Sequence, residues 1–189
     1  MPRAGLTTAA VVERAAQMLD EPTSDGLNLA AVAESFGVRV PSLYKHVDGV
    51  AGLRRGIIRE AKRSLTRVIA QAAVGRSRDD AIRRIAEAYR GWALEHRGQY
   101  PLAMLPVENS DPGELEVEAA FLDVMTGVLA GYELTDDDAI DAIRFLRAAL
   151  HGFVSLETGG GYGMPRDIER SFNRLVESIT TALDGWARP

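Results

Sequence analysis

The stretch 27–47, LNLAAVAESFGVRVPSLYKHV, restricts this chain more than any other. Leu29, Val32, Ala33 and Phe36 recur at i, i+3, i+4 and i+7, which predicts a short helix over 29–36 with one apolar face and Asn28 as its N-cap. Gly37 ends it where a positive φ is easiest, and the apolar phase restarts at Val40, Leu43, Tyr44 and Val47. Two short helices thus meet at a glycine-centred turn, the helix-turn-helix arrangement. Ala33 is small where the helices approach, and Pro41 is tolerated in the first turn of the second helix. The outward positions of that helix, Arg39, Ser42, Lys45 and His46, are donors with no carboxylate among them. Such a face suits the major groove of DNA. Many all-helical proteins join two short helices through glycine, so the flanking sequence has to decide.

The 189 residues suffice for one helical unit, or for a small domain plus a larger one. No cysteine is present, which excludes a disulfide framework and a thiolate metal site. No apolar run reaches about 18 residues and the N-terminus lacks a signal-peptide core, so a soluble, cytoplasmic protein with no membrane partner is expected. The net charge of −5 argues against nucleic acid until the chain is divided. Residues 1–67 carry 10 Lys/Arg against 7 Asp/Glu, whereas residues 68–189 carry 12 against 20. The basic excess therefore sits with the reading helix.

Along the chain, Thr7 can cap a first helix over 8–20 with the face Val12, Ala15, Ala16 and Leu19, followed by a Pro22 to Gly26 loop. A long helix over 50–73, with Leu53, Ile57, Leu65, Val68 and Ile69 inward, follows the Asp48-Gly49 break. Ser77 with Asp80, Asp111 with Glu114, and Thr135 with Asp138 resemble capping boxes, and Pro165 opens the last helix. Further helices are expected over 78–97, 101–106, 112–131, 135–158 and 165–186, with no strand alternation. In the last two, Ile140, Ile143, Leu146, Leu150 and Phe153, then Ile168, Phe172, Leu175, Ile179, Leu183 and Trp186, form long apolar stripes. They serve either the internal core alone or also a homodimer in which two such pairs make a four-helix interface. The expected fold is all-α: a helix-turn-helix DNA-binding domain over 1–49, joined by the long helix to an α-helical ligand-binding and dimerisation domain over 50–189.

The run from Leu6-Thr7 through Gly37-Val38, Leu43-Tyr44-Lys45-His46-Val47 and Leu53 resembles the TetR family of bacterial transcriptional regulators, over about 50 residues in order. Leu150 to Glu157 (LHGFVSLE) and Ala88 to His96 (AYRGWALEH), followed by Tyr100, resemble the C-terminal domain type in that family named for a Trp/His-Gly motif. Two positions depart from the pattern. Arg147 stands where that domain type carries Trp, and Val50 where family members often carry a phosphate-contacting Lys, a contact that Arg54 or Arg55 would take over.

The resemblance implies a regulator, most simply a repressor, that binds a near-palindromic duplex operator as a dimer and is released by a small-molecule effector. Arg39, Val40, Pro41 and Ser42 would then face base edges, with Arg39 bidentate on guanine and Val40 or Pro41 against a thymine methyl. Tyr44, Lys45 and His46 would bind phosphates, Tyr44 also belonging partly to the core. Asn28 would present backbone N–H groups to a phosphate, and Arg3 either reaches the DNA or is a free tail. Trp92, Met104, Phe121, Met125 and His151 lie on the helices that enclose ligands in the family, each taken singly reading first as ordinary core. Gly159 to Gly163 follows a helix and lacks Gly-Lys-Ser/Thr, so it reads as an interhelical loop and not a phosphate cradle. The rival readings are a helical enzyme and a helical small-molecule-binding or adaptor protein without DNA binding. His46, His96 and His151 are widely spaced and outside any metal motif, and no nucleophile elbow is present, so no metal, cofactor or catalytic residue is assigned.

Overall fold

A computed structural model describes residues 6–22, 26–106 and 112–186; Arg3, Asp111 and residues 23–25 of the first loop lie outside them. The described residues are helical, with no strand among them. The elements are α1 (Thr8–Asp20), α2 (Leu29–Ser35), a 3₁₀ reading helix (Val40–Lys45), α3 (Gly49–Ala73), α4 (Arg78–Glu95), α5 (Tyr100–Ala103), α6 (Pro112–Leu129), a 3₁₀ turn (Ala130–Tyr132), α7 (Asp136–Thr158) and α8 (Ile168–Trp186). The chain forms two compact units, one of residues 1–64 with 95–115, the other of 65–94 with 116–189.

In the first unit, Thr7 caps α1 by accepting the Ala10 N–H at 3.1 Å, and Asn28 caps α2 by accepting the Ala30 N–H at 2.8 Å. Gly37 ends α2 at φ +65° in a Schellman arrangement: its N–H donates to the Glu34 carbonyl, and the Val38 N–H reaches back to Ala33. The core joins Val11, Val12, Ala15 and Ala16 of α1 to Leu29, Val32 and Ala33 of α2, Leu43 of the reading helix, Val47, and Leu53 and Ile57 of α3. Burying each of the larger aliphatics stabilises the fold by roughly 1.5–3 kcal/mol. Gly56 makes the approach of α3 to α1 feasible, since a Cβ there would stand 2.7 Å from a Val12 methyl. Elsewhere in this unit Glu114, the acid of the expected Asp111 capping box, is buried and accepts from Lys62 Nζ at 3.0 Å; Asp111 itself lies outside the described residues.

In the second unit α4, α7 and α8 share a core of Ile82, Ile85, Tyr89, Leu146, Leu150, Phe172, Val176, Ile179 and Leu183. Arg90 binds both carboxylate oxygens of Glu157, at 2.8 and 2.7 Å, and reaches Glu169 at 2.5 Å while lying over the Phe172 ring. Tyr132, fully buried, donates to Asp79 at 2.7 Å beneath the Arg78 guanidinium, which itself pairs with Asp184.

Two local expectations need correction. Thr135 caps α7 through its extended backbone and not its side chain, and Asp136 takes φ +51°. The last helix begins at Ile168, three residues past Pro165, because Asp167 Oδ1 accepts the Glu169 N–H at 2.9 Å. The glycine run lies in the expected interhelical loop and begins it with a helix stop: Gly160 takes φ +72°, the Gly161 N–H returns to the Leu156 carbonyl at 2.7 Å, and the Tyr162 hydroxyl donates to Phe153.

Candidate nucleic-acid interface

The second helix of the motif is 3₁₀, not α, and this decides which side chains it offers. With three residues per turn, Val40, Leu43 and His46 fall in one row and Pro41 and Tyr44 in another. Leu43 is completely buried and Val40 packs partly into the head core, so that row is the anchor. Tyr44, expected to share the apolar phase, is instead 60% exposed, since the tighter pitch swings it off the Leu43 face. Pro41 and Lys45 are exposed beside it, and Ser42 is half-buried with its N–H donating to the Arg39 carbonyl at 2.8 Å.

Arg39 occupies the N-cap position with extended backbone and forms no side-chain cap bond, and its side chain is exposed. At the other end His46, half-buried, closes the helix: its N–H donates to Leu43, and its carbonyl accepts the Thr8 hydroxyl at 3.0 Å. That bond ties the start of α1 to the end of the reading helix. Asn28 is exposed, but its amide oxygen is engaged by the Ala30 N–H. Val50 is exposed in the first turn of α3, and Arg54 and Arg55 are exposed one turn on, Arg55 facing Asp48 at 3.7 Å. The result is a rigid apolar anchor carrying exposed cations and a tyrosine, with the cations lacking a carboxylate from their own helix. Such a surface can neutralise phosphates and reach base edges without rearrangement.

The five residues assigned to an effector are divided between the units. Met104, half-buried, belongs to the first; Trp92 and Met125, buried, and Phe121 and His151, half-buried, belong to the second. Burial, then the neighbouring Arg147 charge, pushes the His151 imidazole below its ordinary value, which favours its neutral form. A surface cleft of about 210 Å³ in the second unit is lined by Arg83, Glu87, Phe172, Asn173, Val176 and Glu177, none of them among those five. No group of His, Asp and Glu among the described residues is placed to hold a metal ion. No helix among them is long and apolar enough to cross a membrane.

Known proteins supply the identity. A family profile described as "Tetracyclin repressor-like, C-terminal domain" matches residues 82–179. The uncharacterized HTH-type transcriptional regulator YobS of Bacillus subtilis is 34% identical over 187 residues, 97% of this chain and 94% of that protein. A second uncharacterized HTH-type regulator, Rv0681 of Mycobacterium tuberculosis, is 34% identical over 158 residues, 83% of this chain and 72% of that one. Among solved structures, the TetR regulator SCO7222 of Streptomyces coelicolor shares the fold at a TM-score of 0.75 and 16% identity, over 97% of this chain and 100% of that one. With a helix-turn-helix at one end and the matching helical domain over half its length, the chain belongs to the TetR family and is a DNA-binding transcriptional regulator.

Proposed function

We propose that the chain is a cytoplasmic repressor that binds a near-palindromic operator as a homodimer and leaves it when a small molecule occupies the C-terminal domain. In this reading residues 1–49 bind DNA, residues 50–189 bind the effector and dimerise, and the dimer is made by α7 and α8. The observation that carries it is the reading helix, anchored by a fully buried Leu43 while Pro41, Tyr44 and Lys45 stand exposed. Arg39 and Pro41 contact base edges, with Val40 and Ser42 at the same rim; Tyr44, Lys45, His46 and the N-terminus of α2 at Asn28 contact phosphates. Two copies would set their reading helices one DNA turn apart, roughly 34 Å. Trp92, Met104, Phe121, Met125 and His151 contact the effector, His151 as a neutral hydrogen-bonding group.

The test is selection of duplexes from a random pool by the full-length protein, followed by affinity measurements across salt concentrations. A two-fold-symmetric consensus is expected, with Lys45→Ala lowering the salt slope by about one and Arg39→Ala relaxing preference at one base pair per half-site. An asymmetric single-site consensus would refute the dimeric reading, and an unchanged slope in Lys45→Ala would remove its phosphate assignment.

A further inference from the structure

We propose that Asp20 is a latch by which the segment following α4 holds the reading head, so that movement of residues 96–99 is felt at the DNA-reading helix. The inference rests on the DNA-binding reading above and concerns how that same site is regulated. Asp20 is the last residue of α1, at the helix end where the backbone dipole disfavours negative charge. Four donors converge on it. Its Oδ1 accepts the backbone N–H groups of Gly98 at 2.9 Å and Gln99 at 3.1 Å, and its Oδ2 accepts Gln99 Nε2 at 2.5 Å and His96 Nδ1 at 2.9 Å. An ionised carboxylate only accepts, so His96 Nδ1 carries the proton here, and the 3.2 Å approach of Gln99 Nε2 to that nitrogen is a contact and not a second hydrogen bond.

A second, independent observation lies beside the carboxylate. A Cβ on Gly98 would stand 1.9 Å from the Leu19 carbonyl oxygen and 2.4 Å from its carbon, so the backbone of this turn lies directly on the last turn of α1. Leu102, just beyond it, packs against the head core. The other end of α1 is fastened too, through the Thr8 hydroxyl on the His46 carbonyl. Between these points α1 is an unbroken helix of 13 residues, a rod of about 20 Å with Val11, Val12, Ala15 and Ala16 set into the core that holds Leu43. Residues 96–99 are also the direct continuation of α4, which ends at Glu95. A shift in that helix end therefore reaches a carboxylate that is hydrogen-bonded on all sides, and a rod that ends at the reading helix. Sites coupled in this way must influence each other reciprocally.

Reciprocity supplies a test that needs no effector. The probe is a duplex recovered by the full-length wild-type protein from a random pool, and the readout is amide hydrogen exchange at Gly98 and Gln99. Bound duplex should slow their exchange at least fivefold, although neither residue belongs to the reading helix. Asp20→Asn keeps the shape but turns an amide N–H₂ toward two donors; it should abolish most of that slowing and weaken duplex binding at least fivefold. Gly98→Ala, which wedges the turn away from Leu19 without altering charge, should weaken binding in the same sense. Should Asp20→Asn fail to fold, the wild-type exchange measurement and Gly98→Ala still decide. Unchanged exchange at Gly98 and Gln99 on a duplex that binds overturns the latch and leaves the DNA-binding reading standing, as does wild-type affinity in both variants. Recovery of no duplex overturns both.

Discussion

The reading head and the second unit use charged side chains in opposite ways. In the head, the polar bonds that shape the motif are mostly helix caps spanning two or three residues, from Thr7 to Ala10 and from Asn28 to Ala30. Its core is small and aliphatic, closed by the bare backbone of Gly56, and Arg39 and Lys45 stand exposed on the reading helix. In the second unit, cations are committed to distant partners: Arg90 to Glu157 and Glu169, and Arg78 to Asp184. Charge in the second unit holds helices together; the cations of the reading helix, Arg39 and Lys45, are left for a partner, consistent with the basic excess confined to the first third of the chain.

The sharpest challenge to this contrast lies in the first unit itself, where Lys62 and Glu114 form a buried pair. Glu114→Ala should cost about 3–5 kcal/mol, because it strands a buried ammonium, whereas Lys62→Met with Glu114→Leu should recover most of the loss. Urea unfolding of the three proteins checks this. A loss below about 1 kcal/mol in the single variant would mean the pair is as dispensable as a surface one.

Next in size is a like-for-like comparison of two cations. Arg90→Ala removes the bidentate bond to Glu157 and should cost roughly 2–3 kcal/mol, while Lys45→Ala should alter stability by no more than about 0.5 kcal/mol. Equal losses would erase the distinction between structural and partner-directed charge. A smaller effect is expected at the caps: Asn28→Ala should cost about 1 kcal/mol, and Asn28→Gly only a few tenths, measured by the same unfolding transition.

These differences in reach also explain what was legible in the sequence. Caps and periodicity act within one or two turns, so α1, α2, the Gly37 stop and the span of α3 follow from the residues alone, as does the identity of the head. The 3₁₀ pitch of the reading helix does not: over six residues the apolar spacing fits either helix type, and only packing of Leu43 reveals that Tyr44 points away from the core. The spacing to Asp111 marks Glu114 only as a capping acid, whereas its partner Lys62 lies 52 residues from it in sequence. Asp20 was legible only as the end of a helix, since its four donors lie 76 to 79 residues further on. No local signal encodes such pairings. An acidic residue closing a helix, where the dipole opposes it, is the one hint that a distant donor set exists.

The smallest expected effect tests the second unit's reliance on buried polar partners. Tyr132 is fully buried, and burial first, then its hydrogen bond to Asp79, pushes its hydroxyl well above the ordinary phenol range. A group whose folded-state pKa is raised contributes stability that is complete below its unfolded value, about 10, and is lost as pH rises beyond it, because only the unfolded chain can release the proton. Between pH 7 and 9 the stability should therefore be flat with respect to this group, and between pH 10 and 11 it should fall. Tyr132→Phe has no proton to lose at this position, so its melting temperature should decline less steeply over the upper interval, whatever the substitution costs at neutral pH. Parallel declines in the two proteins would mean that Tyr132 ionises as readily folded as unfolded, and that its bond to Asp79 is not sealed from water.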